Sequence, residues 1–246
     1  SMPVDLVTGQ TATIVGGAAP RTVNAGQGAA IGPDIAGTSY IEFVTRESWN
    51  ITGAITVFWR GIFDVLGGNF RCALSKQGDN ITNIPLDFFV DWTTSRLTFV
   101  RAGASNRRVW QTVETATAGQ ISAIGYTQDG LAIEAQPYMY LNNAIRISPS
   151  DIGGTGTGLA TGNTNPLRIG RRIDGGTQLD GVPEVTMFWA RALSTEEYGR
   201  VFRNPYSLLK SVRRRTGIIY GAGGAAFNPA WARGSNQLIG SGLYVS

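Results

Sequence analysis

The chain has 246 residues, of which 15% are charged, and a net charge of +4. A charge this small argues for neither a nucleic-acid nor a membrane partner, and no run reaches the ~18 consecutive apolar residues of a membrane helix. The sequence contains no histidine, which excludes Ser-His-Asp and Cys-His catalysis, HExxH zinc sites and any imidazole base. Cys72 is the single cysteine. No intrachain disulfide or cysteine metal cluster can form, and Cys72 reads as a small residue packed in a strand. The 33 glycines suit a sheet protein with many tight turns, and the length allows one large all-β domain with a substantial core.

Residues 1–38 are rich in Gly, Ala and Thr, with a candidate strand at Ala12 to Val15, and are expected to pack on the main body. Ser1 ahead of Met2 reads as a cloning remnant, and the residues that follow lack the basic and apolar regions of a signal peptide. Tyr40 to Val44 alternates, with Ile41 and Phe43 on one face. Ile55, Val57 and Trp59 form one row of the next strand, and Thr56, Phe58 and Arg60 the other. Leu86, Phe88, Val90 and Trp92 form an apolar row backed by Asp87, Phe89 and Asp91. Thr93 to Ser95 is a hairpin loop into Arg96 to Arg101. Ile121 to Tyr126 and Pro137 to Leu141 follow, each bounded by turn signals, Asp129-Gly130 and Asn142-Asn143. Residues 150–165 are a glycine-threonine loop. They lack the Lys-Ser/Thr pair and the helix of a phosphate-binding loop.

The clearest signals lie between Leu179 and Leu209. Val185 to Ala192 is an apolar strand after Asp180-Gly181 and Pro183. Ser194 and Glu197 have capping-box spacing, and Leu193 and Tyr198 occupy the hydrophobic-staple positions around it. Asn204-Pro205 ends the predicted helix, because a residue before proline is pushed out of the helical region. Short strands with one late helix predict an all-β antiparallel sandwich of the jelly-roll type.

These segments resemble, in order, the laminin-G-like, concanavalin A-like lectin/glucanase domains. Residues 55–60 (ITVFWR) resemble the family's early core strand and 73–78 (ALSKQG) its hairpin. Residues 140–143 (YLNN) resemble its "tyr-val-asn-gly" turn, and 167–170 (LRIG) the strand before its last loop. The helix and its lead-in resemble the closing segment. The resemblance covers residues 39–209 and implies the concanavalin A-like fold. The exit 204–215 (NPYSLLKSVRRR) is similar to versions of this domain in bacteriophage virion proteins, which implies a protein made in a host cytoplasm and carried in the virion. Residues 210–246 form a tail whose apolar residues, Trp231, Leu238, Ile239 and Tyr244, favour docking on the sandwich or a neighbouring subunit over disorder. Its basic cluster (Lys210, Arg213, Arg214, Arg215) is short and poor in aromatic neighbours, and reads as solvated or subunit-contacting.

Glycan-cleaving relatives use paired carboxylates, and their Glu-x-Asp-x-x-Glu strand motif is absent. Asp87 and Asp91, a same-face pair read as a solvated sheet face, stand roughly 13 Å apart on a strand. Hydrolysis needs about 5 Å or about 6.5–9.5 Å, so an enzyme is not expected. Glycan binding needs exposed aromatic planes with polar groups beside them. Trp59, Trp92 and Trp189 continue apolar rows and are assigned to the core. Trp49, Trp110, Arg107 and Arg108 are the ligand-binding candidates. Calcium is a candidate cofactor through Asp79, Asn80, Asp151, Asp174 and Asp180, although none has EF-hand spacing. The expected function is a non-catalytic phage virion structural or adhesion protein, with protein partners or further copies reached through the tail. The alternatives are a stand-alone carbohydrate-binding module and, more remotely, a glycanase.

Overall fold

A computed structural model describes residues 4–5, 11–25, 28–44, 51–66, 71–76, 87–91, 94–103, 106–130, 132–158, 164–172, 175–208 and 240–244. Strands are numbered in chain order. One sheet has six strands, in the order β1 (Val4–Asp5), β16 (Gly240–Tyr244), β15 (Gly181–Trp189), β6 (Ile55–Phe63), β11 (Ile121–Gln128) and β12 (Tyr138–Leu141). The other has eight, in the order β13 (Ser150–Gly153), β10 (Arg107–Thr115), β9 (Arg96–Ala102), β8 (Asp87–Val90), β7 (Arg71–Ser75), β14 (Leu167–Ile169), β5 (Tyr40–Phe43) and β2 (Thr13–Val15). β3 (Pro20–Ala25) and β4 (Gly28–Pro33) make a separate two-stranded ribbon. Neighbouring strands pair antiparallel in both sheets, for example Trp59 opposite Ile124 and Phe88 opposite Phe99. The fold is an all-β antiparallel sandwich with one short α-helix near its end.

The core lies between the sheets. The six-stranded sheet contributes Val57, Trp59, Ile124 and Tyr126, and the eight-stranded sheet Ile41, Phe43, Leu74, Phe88 and Phe99, all buried. Phe99 stacks on Tyr126 across the interface, with ring centroids 3.3 Å apart. Each such side chain contributes about 1.5–3 kcal/mol by leaving water. The alternation read at Ile41 and Phe43 thus has its cause in a sheet with one face packed. Cys72 is buried as expected.

In β6 both rows are buried, because a second apolar layer covers the outer face of its sheet. There Phe58, Val185, Met187 and Trp189 meet Leu193, Tyr198 and Val201. The helix α1 (Thr195–Arg203) supplies this layer. Its Ser194 hydroxyl accepts the Glu197 N–H, and the Glu197 carboxylate accepts the Ser194 N–H at 2.9 Å. The staple residues Leu193 and Tyr198 both pack in the cluster. Tyr198 stacks on Tyr140 at 3.9 Å and donates its hydroxyl to the Val57 carbonyl at 2.6 Å. The tyrosine fits because Gly125 lies beneath it: a Cβ there would come within 1.6 Å of the Tyr198 hydroxyl. Asn204 closes the helix, and Pro205–Leu208 continues as a 3₁₀ turn.

The structure departs from the sequence reading in several places. β15 begins at Gly181, not Val185, and runs through Pro183, where the register shifts against β6. Proline is tolerated in a strand at such a bulge, where its missing N–H costs no ladder bond. β10 occupies a segment to which no strand was assigned, and β13 opens the segment read as a loop. Asp87 is not on a solvated face: it is 1% exposed, accepts the Ser75 hydroxyl, and lies 3.2 Å from Arg172 Nε. A buried carboxylate needs such partners. The ribbon is clasped to the sandwich by Arg21, which bonds Asp34 at 2.8 Å and also pairs with Asp64. Within the tail, Gly240–Tyr244 pairs along β15. Residues 209–239, Leu86, Trp92 and Thr93 lie outside the described residues.

Candidate functional site

The outer face of the six-stranded sheet carries a row formed by Val185, Arg60 and Ala123, which are partners across β15, β6 and β11. At one end of that row the helix stops, and its 3₁₀ extension turns back over the sheet. The space left between them is a depression of about 330 Å³. Its floor comes from Ile121, Ala123 and Arg60, its far edge from Asn142, and its near wall from Phe202, Arg203 and Tyr206. Pockets of this size accommodate small ligands such as a sugar or two (~300–1,000 Å³).

Glu184 enters the site through the bulge. Pro183 faces Gly61 and Val185 faces Arg60, so Glu184 is the extra residue of β15. A bulge re-aims the side chain it carries. Glu184, 5% exposed, accepts from Arg60 Nη1 on one oxygen and from the Tyr206 hydroxyl on the other. Its charge is therefore matched twice, as a nearly buried carboxylate requires. Asn142 has a left-handed backbone (φ 59°) at the end of the β12 hairpin strand, a conformation asparagine tolerates. It exchanges two bonds with Ala123: its Oδ1 accepts the Ala123 N–H at 2.9 Å and its own N–H donates to the Ala123 carbonyl at 2.7 Å. Arg203 is exposed at the last turn of α1. It makes no hydrogen bond or ion pair with any described residue.

The residues singled out from sequence lie elsewhere. Trp110 sits on β10 opposite Phe99, 5% exposed and within the core cluster, so it offers no open face for stacking. Arg108 reaches out from the same strand and pairs with Asp151, with its Nε 3.0 Å from the Gly156 carbonyl. Arg107 accepts the Gly156 N–H at 3.0 Å through its backbone carbonyl. Both arginines hold the segment after β13 against β10. Trp49 lies outside the described residues, as do Asp79, Asn80 and Asp174 among the calcium candidates. Asp151 is engaged by Arg108, and no group of three acidic, Cys or His side chains comes together among the described residues. Trp59 and Trp189 are buried, as the apolar rows predict. Arg60 was visible as a charge in an apolar strand, whereas Pro183 was read as preceding its strand, so Glu184 and the bulge went unread. Tyr206, Phe202 and Arg203 carried no signal beyond helix periodicity.

No family model and no curated protein sequence matches the chain. Solved structures similar in fold include the binding domain of Paraclostridial Mosquitocidal Protein 1, with a TM-score of 0.54 and 14% identity, covering 80% of this chain and 48% of that one. The binding domain of botulinum neurotoxin serotype G superposes with a TM-score of 0.53 at 11% identity, covering 81% and 48%. Domain 4 of AbnA, a GH43 extracellular arabinanase from Geobacillus stearothermophilus solved in complex with arabinotriose, gives 0.52 at 12%, covering 79% and 90%. This chain thus spans about half the length of the two toxin chains. Identities this low speak to fold alone, and the fold concerned is the all-β sandwich described above.

Proposed function

We propose that the chain is a non-catalytic saccharide-binding module and that the depression beside the helix is its binding site. The observation that carries this reading is the lining itself. Phenyl and phenol rings (Phe202, Tyr206), an amide (Asn142) and charged donors (Arg60, Arg203) surround a space of sugar size. Aromatic faces take the apolar face of a pyranose, and amides and guanidinium groups take its hydroxyls. The arabinanase domain of similar fold, solved with arabinotriose, supports the same class of ligand. Glu184 is the one carboxylate in the lining, and both its oxygens are engaged. Two-carboxylate hydrolysis has no second partner in this depression, which supports binding over turnover.

We further place the module in a virion adhesion or structural protein, with the part of the 210–246 tail outside β16 as its attachment to partners or to further copies. The similarity of the 204–215 exit to phage virion domains supports that setting. Absence of the protein from purified particles of a phage that encodes it would contradict it.

The test of the binding reading is calorimetric titration of the full chain with neutral and acidic oligosaccharides, beside Ala123→Phe. That substitution fills the floor of the depression from a partly exposed position. Binding with at least about a tenfold loss in Ala123→Phe is expected, in a variant whose thermal melt shows that it is folded. Saccharide affinity indifferent to the substitution would move the site elsewhere.

A further inference from the structure

We infer that the saccharide this depression takes is acidic, bearing a carboxylate or sulfate that lies between Arg60 and Arg203; this rests on the binding reading above. Two guanidinium groups and one carboxylate line the site. Glu184 spends its oxygens on Arg60 Nη1 and the Tyr206 hydroxyl and is 5% exposed, so its charge is already matched and faces away from solvent. Arg60 gives one nitrogen to that pair, and its remaining N–H groups have no acceptor among the described residues. Arg203 has none at all among them and is exposed at the rim.

The end of α1 opposes this, since a helix C-terminus carries roughly −0.5 of a charge. Asn204 donates its N–H to the Arg200 carbonyl at 3.0 Å, which satisfies one of the terminal carbonyls. Two full positive charges against one negative and one half-charge leave the depression net positive. The donors are also of the right kind. A guanidinium presents a planar fork that matches a carboxylate or sulfate through two parallel bonds, and such charge-assisted bonds are about twice as strong as neutral ones. A neutral sugar would leave the free Arg203 fork without a partner. Phe202 and Tyr206 on the same wall then position the ring that carries the anion.

The experiment compares three probes by titration: tri-galacturonate, its methyl ester and a sulfated trisaccharide, each against the full chain and Arg203→Gln. The expected result is at least about tenfold tighter binding of an acidic probe than of the methyl ester. Loss of that preference in Arg203→Gln, and weakening of acidic binding alone as salt is raised, should accompany it. Whether the carboxylate or the sulfate probe binds tighter identifies the anion. Equal binding of the ester and the acid, unchanged in Arg203→Gln, would overturn the inference while leaving the binding module intact. Failure of all three probes together with every neutral oligosaccharide would remove the binding reading itself.

Discussion

Glu197 shows how one side chain couples local structure to pH. Its carboxylate takes two bonds from Arg191, at 2.7 and 2.8 Å, and the Ser194 N–H at 2.9 Å. The Arg191 guanidinium first, and the Ser194 N–H second, lower its pKa from 4.5 to about 2. A depressed carboxyl pKa adds stability that is complete above the ordinary value and is lost as pH falls from 4.5 towards about 2. Because the two side chains are 45% and 37% exposed, solvent screening limits the contribution to under about 1 kcal/mol. Glu197→Gln keeps the cap and removes the charge, so urea unfolding should show that deficit at pH 7 and a much smaller one at pH 2. Glu184 carries more, because it is nearly buried. Glu184→Gln should cost about 3 kcal/mol by stranding Arg60, while joint replacement of Arg60 and Glu184 by Met should recover most of it. The two acids differ in legibility for a physical reason. Glu197 belongs to a local motif, three residues from its partner, and reads directly from sequence. Glu184 meets Arg60 across two strands and Tyr206 across the end of a helix, and spacing along the chain does not encode such a meeting.

Among the elements, the helix was the most legible, since its start, staple and stop all depend on neighbours within a few residues. What it packs on was not legible. Tyr198 lies in its site only because β11 offers a glycine beneath it. Gly125→Ala should therefore displace the ring and destabilise the fold by about 3 kcal/mol, the upper range of overpacking costs. Tyr198→Phe keeps the stacking on Tyr140 and loses the bond to the Val57 carbonyl, so a smaller loss of about 1–2 kcal/mol is expected. Thermal melts of the two variants check the order. β10 shows the opposite failure. Charged Arg107 and Arg108 at its start masked a strand whose Trp110 continues the buried row of Phe88 and Phe99. A tryptophan after a cationic run reads as a surface ligand until its cross-strand neighbour is known.

At the scale of the whole molecule, the strand pattern and the late helix were enough to predict a sandwich, because the alternation of each strand reports the one packed face it has. The site was not predicted. It forms where two sheet rows, a bulge and a helix end converge, and each of these is ordinary on its own. The sandwich buries its aromatic residues in two layers, one between the sheets and one beneath α1. The depression opens at the edge of the second layer, where Phe202 and Tyr206 pass from packing to solvent. Recognition is therefore expected on the outer face of the six-stranded sheet, away from the Arg107–Arg108 edge of the other sheet. The most direct test is amide chemical-shift mapping of the full chain titrated with the tightest-binding oligosaccharide. Perturbations are expected to centre on Arg60, Ala123, Asn142 and Tyr206. Perturbations centred instead on Arg107, Arg108 and Asp151, with those four residues silent, would contradict it.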